Sequence, residues 1–251
     1  MQTRNGDTEN MSLSLNEIIC GDCLDIMETF PEQSVDAIVT DPPYAFAGGI
    51  SNSRTSEMND QFFFHWWKAV CKQLNRIMKD AGEGFIWCDW RSAMTIARGF
   101  EQNQKYGLRL AQMLYHYREM PGNGSPFRSS VDMIGYVRGW KSDGHRILNT
   151  THNLISKYWY YGKHKYHPTE KDVEIAKKLI EWCSDEKDIV LDPFCGSGSV
   201  CLAAKELNRK WIGIDINPEY CKIAQKRTDS ISKRLNSFAD TEVVLNGRVR
   251  V

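Results

Sequence analysis

The hydrophobic and polar positions along the chain follow two alternating periods, and this predicts an α/β fold. Short apolar runs rich in β-branched residues and bounded by turn residues are typical of buried parallel strands. Such runs occur at 16–22, 34–40, 84–89, 108–117, 131–137, 189–191 and 210–216. Apolar residues that recur every three or four positions predict helices over 24–30, 61–78, 91–104, 173–183, 200–207 and 219–235. Strands that alternate with helices favour a mostly parallel sheet with helices on both faces.

A glycine-containing turn follows one of these strands directly. Residues 194–198 read Phe-Cys-Gly-Ser-Gly and lie between the strand at 189–191 and the helix at 200–207. Gly196 and Gly198 have no Cβ, so the backbone can turn sharply and a ligand can approach it closely. The free N–H groups at the start of the helix point toward the same place. This arrangement predicts a cradle for a cofactor, although a glycine pair after a strand can also be a simple tight turn.

An acidic residue ends the next predicted strand. Asp215 lies about 20 residues beyond the glycine turn, a separation found in nucleotide-binding α/β units. A carboxylate there can accept hydrogen bonds from both hydroxyls of a ribose. It can equally cap the helix that begins near Pro218, since proline is favoured in a first helical turn. The residues alone leave both interpretations of Asp215 open.

The tetrapeptide at 41–44, Asp-Pro-Pro-Tyr, follows a predicted buried strand and is the second feature with chemical meaning. Each proline fixes its φ angle and lacks an N–H donor, so the peptide forms a rigid elbow. Asp41 and the Pro42 carbonyl can each accept one hydrogen from an exocyclic amino group, and Tyr44 can stack on a planar base. The alternative is a proline-rich turn that only caps the sheet. The position at the carboxyl end of a buried strand, where α/β sheets bind ligands, favours the functional interpretation.

Residues 115–166 differ in composition from the rest of the chain. Eight Arg and Lys residues there stand against three acidic residues, with His, Tyr and Trp residues interleaved. Basic and aromatic side chains on glycine-containing loops suit a surface that follows phosphates and touches bases. The alternative is a solvated face that is merely basic, and 131–137 within this region is predicted to be a last core strand. Residues 45–60, rich in Gly, Ser and Asn, predict a long loop of the kind that closes over an active site.

The composition narrows the class of protein further. The 251 residues include 32 Lys and Arg and 32 Asp and Glu, so the chain has no formal net charge and is not a generally basic protein. Cys20 and Cys23 form the only CxxC pair, and no second pair follows at zinc-ligand spacing, so no metal site is expected. Neither a signal peptide nor a long apolar span is recognisable, and the eight cysteines suit a reducing compartment. We therefore expect a cytoplasmic protein that does not enter a membrane.

Three motifs in one order carry a resemblance to a known family. Residues 41–44, His-Pro-Thr-Glu-Lys at 167–171 and Asp-Pro-Phe-Cys-Gly-Ser-Gly at 192–198 resemble motifs of the bacterial and phage DNA amino-methyltransferases. These enzymes transfer a methyl group from S-adenosyl-L-methionine to an exocyclic nitrogen of a base. The order, with the catalytic tetrapeptide first and the cofactor turn last, resembles the β class. One departure is Asp172, which follows Lys171 where family members usually have proline.

The resemblance implies a set of site residues and no metal ligand. The catalytic tetrapeptide would be Asp41, Pro42, Pro43 and Tyr44. The turn at 194–198 would line the methionine part of the cofactor, Asp215 would take its ribose, Asp22 would contact its adenine, and the motif at 167–171 would close the pocket. The full set implied for the cofactor is Asp22, Cys23, His167, Thr169, Lys171, Asp192, Phe194, Gly196, Ser197, Gly198 and Asp215.

The resemblance also implies a doubly wound, seven-stranded, mostly parallel sheet, which is the Rossmann-like methyltransferase fold in permuted order. The implied parts are a flexible tail at 1–10, a catalytic half at 11–114, the last core strand with a small target-recognition region at 115–166, a cofactor-binding half at 167–235 and a C-terminal hairpin at 236–251. The hairpin is predicted from Asn246-Gly247, a strong two-residue turn signal. Because a lone hairpin is barely stable, it is expected to dock on the body or in a homodimer.

The expected activity is methylation of N6 of a flipped adenine in double-stranded DNA by direct displacement. In the family that the chain resembles, Asp at the first tetrapeptide position is more often typical of adenine enzymes and Ser of cytosine enzymes. Asp41 therefore favours adenine, and N4 of cytosine is the alternative. Methylation of RNA or of a glutamine side chain in a protein is a more distant alternative, since the tetrapeptide of the glutamine methyltransferases resembles Asn-Pro-Pro-Tyr. A non-catalytic DNA-binding or assembly subunit would have lost Asp41 or the glycines of the turn, all of which are present.

Overall fold

The described residues of the computed structural model form one eight-stranded sheet with helices on both faces. The structure describes residues 13–44, 60–101, 107–117, 129–144, 153–155 and 170–230. The strands are β1 (Glu17–Cys20), β2 (Val35–Thr40), β3 (Met78–Cys88), β4 (Arg109–Tyr117), β5 (Val131–Arg138), β6 (Leu154–Ile155), β7 (Ile189–Asp192) and β8 (Lys210–Asp215). The helices are α1 (Cys23–Glu28), α2 (Asp60–Ile77), α3 (Trp90–Glu101), α4 (Val173–Cys183), α5 (Ser199–Glu206) and α6 over 218–230.

The predicted fold class is confirmed, with one strand more than expected. The strands lie in the order β1-β8-β7-β2-β3-β5-β4-β6. The predicted last core strand, β5, runs antiparallel to its neighbours β3 and β4, and the other neighbouring pairs are parallel. The additional strand is β6, which has two residues and pairs with β4 at the edge of the sheet. Two residues are too few to produce a periodic pattern, so the sequence does not reveal this strand.

The direction of winding reverses between β2 and β7. The chain continues from β2 to β3 on one side, whereas β7 is followed by β8 on the other side. β2 and β7 pair in parallel, with Ala37 opposite Val190, so their carboxyl ends lie side by side. The Thr40 hydroxyl donates to Asp192 Oδ1 at 2.7 Å and joins these two ends across 152 positions of the chain. In an open α/β sheet, such a reversal creates the crevice where ligands bind.

Two hydrophobic clusters hold the helices on the sheet, one on each face. One face, which carries Phe85 and Trp87, is covered by α4, α5 and α6. The opposite face is covered by α1, α2 and α3, and Trp67 of α2 is fully buried there. Of the aromatic residues on α2, Phe63 and Trp67 are fully buried in this core, whereas Phe62 is exposed. Burial of a side chain such as Phe85 contributes about 1.5–3 kcal/mol, so the strand ends are firmly supported.

Several predicted segments lie outside the described residues. These are the tail at 1–10, the predicted loop at 45–60 except its last residue, which begins α2, the hairpin at 236–251 and the larger part of 115–166. In the part of the chain that the structure describes, no helix is long and apolar enough to cross a membrane. Nor do these residues include a group of three or more His, Cys, Asp or Glu side chains arranged to hold a metal ion. The predicted domain boundaries stay predictions.

Candidate active site

The carboxylate of Asp41 lies just beyond the carboxyl end of β2, where two side chains bind it. The Tyr44 hydroxyl donates to Oδ1 at 2.5 Å, and Nζ of Lys171 lies 2.9 Å from Oδ2. Burial and the negative charge of Asp41 raise the pKa of Tyr44 well above its ordinary value, so the hydroxyl stays protonated and acts as the donor. The two contacts therefore fix the orientation of the predicted catalytic carboxylate.

Lys171 lies at the tetrapeptide. Its ammonium group is 6.0 Å from the centroid of the Tyr44 ring and 5.8 Å from that of the Trp87 ring, in addition to its contact with Asp41. Asp172 is the N-cap of α4, and its side chain accepts a hydrogen bond from the backbone N–H of Glu174 at 2.8 Å. Aspartate is a favoured N-cap residue, and α4 begins at Val173, where it is predicted, without the proline that is usual in the family that the chain resembles.

The glycine turn connects β7 to α5 through two residues with positive φ angles. Gly196 has a φ of +50° and Gly198 a φ of +81°, which are backbone conformations that favour glycine. A Cβ on Gly198 would lie 2.8 Å from the Cβ of Ala224 in α6, so packing excludes a side chain there. A Cβ on Gly196 would meet no described atom within 4 Å. Gly196 therefore borders open space, where a ligand can approach the backbone.

Asp215 holds the glycine turn from the end of β8. Its Oδ2 accepts a hydrogen bond from the Gly196 N–H at 2.9 Å, and its Oδ1 accepts one from the Asn217 N–H at 2.8 Å. The N-cap of α6 is Asn217, because its side chain accepts from the Glu219 N–H and its carbonyl accepts from the Cys221 N–H. The interpretation of Asp215 as the helix cap is therefore wrong, and its carboxylate instead faces the predicted cofactor turn.

The comparison with protein families decides the identity of the chain. A model of the DNA methylases that modify N6 or N4 positions matches residues 35–226, more than half of the 251 residues. The chain belongs to the N6/N4 DNA methylase family. It is therefore an S-adenosylmethionine-dependent DNA amino-methyltransferase.

Curated relatives and solved structures agree with this membership. The type II methyltransferase M.HpaI of Haemophilus parainfluenzae is 29% identical and aligns with 85% of this chain and 74% of its own length. The DNA adenine methyltransferase YhdJ of Escherichia coli K12 is 28% identical, with coverages of 86% and 83%. The crystal structure of the M1.HpyAVI complex with S-adenosylmethionine is 26% identical, with a TM-score of 0.65 over 84% of this chain and 98% of that one. The cytosine-N4-specific PvuII methyltransferase is 22% identical and shares the fold, with a TM-score of 0.67 over 90% and 93%.

The end of β1 brings another predicted part of the methylase site next to Asp215. Cys20 lies opposite Asp215 in the parallel pair of β1 and β8, and the Gly21 N–H donates to the Asp215 carbonyl at 3.0 Å. Asp22 is the N-cap of α1, and its Oδ1 accepts a hydrogen bond from the Leu24 N–H at 2.8 Å. The Cys23 side chain is buried, and burial raises the pKa of its thiol to about 12, so the thiol is neutral. The cofactor contacts predicted for Asp22 and Cys23 stay predictions.

Asp192 and Phe194 lie where β7 enters the glycine turn. The Asp192 side chain is buried, and its Oδ1 accepts hydrogen bonds from the Thr40 hydroxyl at 2.7 Å and the Phe194 N–H at 3.1 Å. Asp192 therefore connects the last residue of β2, directly before the tetrapeptide, to the cofactor turn from inside the protein. The Phe194 ring is partly buried and packs on Trp66 of α2, with 5.5 Å between the ring centroids.

The buried carboxyl of Asp192 predicts a pH dependence of stability. Burial, with a smaller contribution from the charges of Asp41 and Asp215, raises its pKa from 3.8 to about 7, although hydrogen bonds from Thr40 and Phe194 lower it. Between pH 4 and 7 the folded protein then binds one more proton than the unfolded chain, so rising pH lowers the free energy of unfolding. We expect Asp192→Asn to remove this decline, which amounts to at most about 4 kcal/mol.

Urea unfolding of both proteins at pH 5 and pH 7.5 measures this effect. The difference in the free energy of unfolding between Asp192→Asn and the wild type should move in favour of the variant at the higher pH. Because asparagine keeps an oxygen for the Thr40 and Phe194 donors, the hydrogen bonds are matched between the two proteins. A difference that is the same at both pH values would contradict a titrating Asp192.

Three predicted site residues remain, His167, Thr169 and Ser197, and the site also contains residues that the sequence does not reveal. His167 and Thr169 lie outside the described residues. Ser197 is buried, and its hydroxyl accepts a hydrogen bond from Nη1 of Arg227 at 2.8 Å. Sequence reasoning does not single out Thr40, Trp87 and Arg227, and it includes Glu170 only as a member of the motif at 167–171. The one available signal is helical spacing, since Arg227 follows the buried Ala224 by three positions on α6 and so lies on its inner face.

Proposed function

We propose that the protein transfers the methyl group of S-adenosyl-L-methionine to the exocyclic N6 of an adenine in double-stranded DNA. The observation that carries this proposal is the position of Asp41 beside the glycine turn. The ends of β2 and β7 are adjacent, and the hydrogen bond from Thr40 to Asp192 joins them. A base held by the tetrapeptide and a cofactor held by the turn would therefore meet at one edge of the sheet.

The tetrapeptide is suited to bind the exocyclic amino group of the target base. A base inside a duplex hides this group, so the nucleotide has to be flipped out into the site. Asp41 and the Pro42 carbonyl would accept its two hydrogens, and Tyr44 would stack on the ring. Each carboxylate oxygen can accept two hydrogen bonds, so the contacts of Asp41 with Tyr44 and Lys171 leave room for this role.

These hydrogen bonds prepare the nitrogen for direct displacement. They draw its lone pair out of conjugation with the ring and align it for attack. When bound, S-adenosylmethionine supplies an electrophilic methyl carbon attached to a sulfonium sulfur. The glycine turn and Asp215 would hold the cofactor so that this methyl group could pass to the amino nitrogen, with the electron pair of the carbon–sulfur bond left on the sulfur. Asp41, which already accepts a hydrogen bond from the nitrogen, takes up the proton that the nitrogen then loses.

Adenine is the proposed base because Asp41 stands at the first tetrapeptide position. The test is to treat unmethylated DNA with the protein and the cofactor, digest the DNA to nucleosides and separate them by chromatography with mass detection. We expect N6-methyladenine as the only new nucleoside. N4-methylcytosine without N6-methyladenine would overturn the choice of base but leave the amino-methyltransferase reaction in place.

N4 of cytosine is the second candidate because the fold does not separate the two substrates. The adenine methyltransferase YhdJ matches this chain in sequence, and the cytosine-N4-specific PvuII enzyme matches it in fold. Both bases present an exocyclic amino group to the same kind of acceptor pair.

The predicted recognition region at 115–166 would select the DNA sequence, and the cytoplasm of a bacterial or phage-infected cell would provide the DNA. A homodimer stays a prediction.

A further inference from the structure

One arginine of α6 binds both the glycine turn and the segment that leads to Lys171. Nη1 of Arg227 donates to the Ser197 carbonyl at 2.7 Å and to the Ser197 hydroxyl at 2.8 Å. Nη2 of Arg227 lies 2.6 Å from the carboxylate of Glu170. The two charged side chains are only 10% and 13% exposed. A single planar guanidinium therefore fixes two separate segments relative to each other.

The contact with Arg227 fixes Glu170, the residue directly before Lys171. Nζ of Lys171 is 2.9 Å from Oδ2 of Asp41. On the other side of Lys171, Asp172 is fixed as the N-cap of α4. Lys171 is thus held between two anchored neighbours. A shift of Glu170 would move the ammonium group away from the catalytic carboxylate.

We propose that Arg227 is a positioning residue that couples cofactor binding to the geometry of the base-binding site, through Ser197 on one side and through Glu170 and Lys171 on the other. This inference rests on the proposed function of Asp41. Arg227 contacts the turn directly and is connected to the tetrapeptide through Glu170 and Lys171, so its proposed role is to position other residues. Because coupling between two sites is reciprocal, a cofactor that orders the glycine turn also stabilises Lys171 on Asp41.

The chemistry of the pair explains why an arginine is needed. Ser197 and Glu170 are approached by two nitrogens of one rigid fork, and lysine has a single nitrogen that cannot serve both with the same geometry. The pair is also largely removed from water, so loss of one partner leaves the other charge poorly compensated. Replacement of either residue should therefore affect both the glycine turn and the position of Lys171 on Asp41.

The test compares Glu170→Gln, Arg227→Lys and the double variant with the wild type. Cofactor affinity is measured by titration calorimetry, and the transfer rate is measured with tritiated cofactor and unmethylated plasmid DNA. Glu170→Gln should weaken cofactor binding about threefold to tenfold, because Glu170 binds the arginine that holds the turn. It should also lower kcat about tenfold or more at saturating cofactor. In the Arg227→Lys background, Glu170→Gln should cause little further loss of affinity.

Glu219→Gln is the matched control, because Glu219 also forms an ion pair on α6, with Lys222, but both side chains are mostly exposed. This variant should keep the affinity and kcat of the wild type. Circular dichroism establishes that each variant is folded, and Glu170→Gln, the milder change, carries the test if Arg227→Lys does not fold. Wild-type affinity and kcat in folded Glu170→Gln, or additive losses of affinity in the double variant, would overturn the coupling. A wild type that binds cofactor but methylates no DNA would instead refute the proposed function, and the affinities alone would then decide the coupling.

Discussion

Replacement of Asp41 with alanine should lower methyl transfer about 10²–10³-fold or more and leave cofactor affinity within about tenfold of the wild type. The reason is that Asp41 would bind the amino group of the base, whereas the glycine turn and Asp215 would bind the cofactor. Loss of the carboxylate also leaves Lys171 and Tyr44 without their common partner. Transfer is measured with tritiated cofactor at saturation, and affinity is measured by titration calorimetry.

Asp36→Ala is the control for this experiment. Asp36 lies at the amino end of β2, the strand that Asp41 follows, and it also binds a lysine, with 2.5 Å between its Oδ1 and Nζ of Lys79. Its loss should reduce stability and leave the transfer rate of the folded protein within about threefold of the wild type, because a partly exposed ion pair of this kind acts locally. Undiminished transfer by Asp41→Ala would refute the role of Asp41.

Alanine at Gly198 should destabilise the fold far more than alanine at Gly196. Both glycines have positive φ angles, which cost a residue with a Cβ about 1–2 kcal/mol. Only at Gly198 does the new methyl group also collide with Ala224, so the expected total there is roughly 2–4 kcal/mol. At Gly196 the methyl group points into open space, so that variant should stay folded and lose at least about tenfold in cofactor affinity.

Urea unfolding and cofactor titration together separate these two effects. A third protein, Gly198→Ala combined with Ala224→Gly, checks the packing argument, since removal of the Ala224 methyl group relieves the collision. The double variant should be more stable than the sum of the two single changes predicts. Equal stability of Gly196→Ala and Gly198→Ala would contradict the assignment of Gly198 to packing. Wild-type cofactor affinity in Gly196→Ala would place the cofactor elsewhere.

The sequence predicts best those elements whose ends coincide with local signals. Helix α4 begins and ends at the predicted residues because an apolar face of helical period starts directly after the cap at Asp172. Strand β3 begins at Met78, six residues before the predicted start. The prediction missed this part of the strand because residues 79–83 are mostly polar. That part pairs with the amino end of β2 next to a register irregularity, and Lys79 binds Asp36 there. Apolar periodicity cannot reveal a strand end of this kind, since partners distant in the sequence stabilise it.

The same distinction applies to the site. Asp41 and Asp215 could be found from the sequence because each follows or ends a buried strand, and parallel strands present such residues at one edge. The contact between Lys171 and Asp41 and the bridge made by Arg227 depend on how α4 and α6 lie against the sheet. No spacing along the chain encodes that packing. These contacts could therefore be known only once the structure was in hand.

The central position of β7 also bears on how the nascent chain acquires its structure. The ribosome releases β1 and β2 long before β7 and β8, yet β8 is the partner of β1, and β7 fills the place between β8 and β2. Both early strands thus keep an open edge until the last part of the sheet has been synthesised. Such late, long-range pairing slows folding and exposes unpaired backbone to other chains. Helper proteins that shield open strand edges during synthesis should therefore raise the yield of active enzyme.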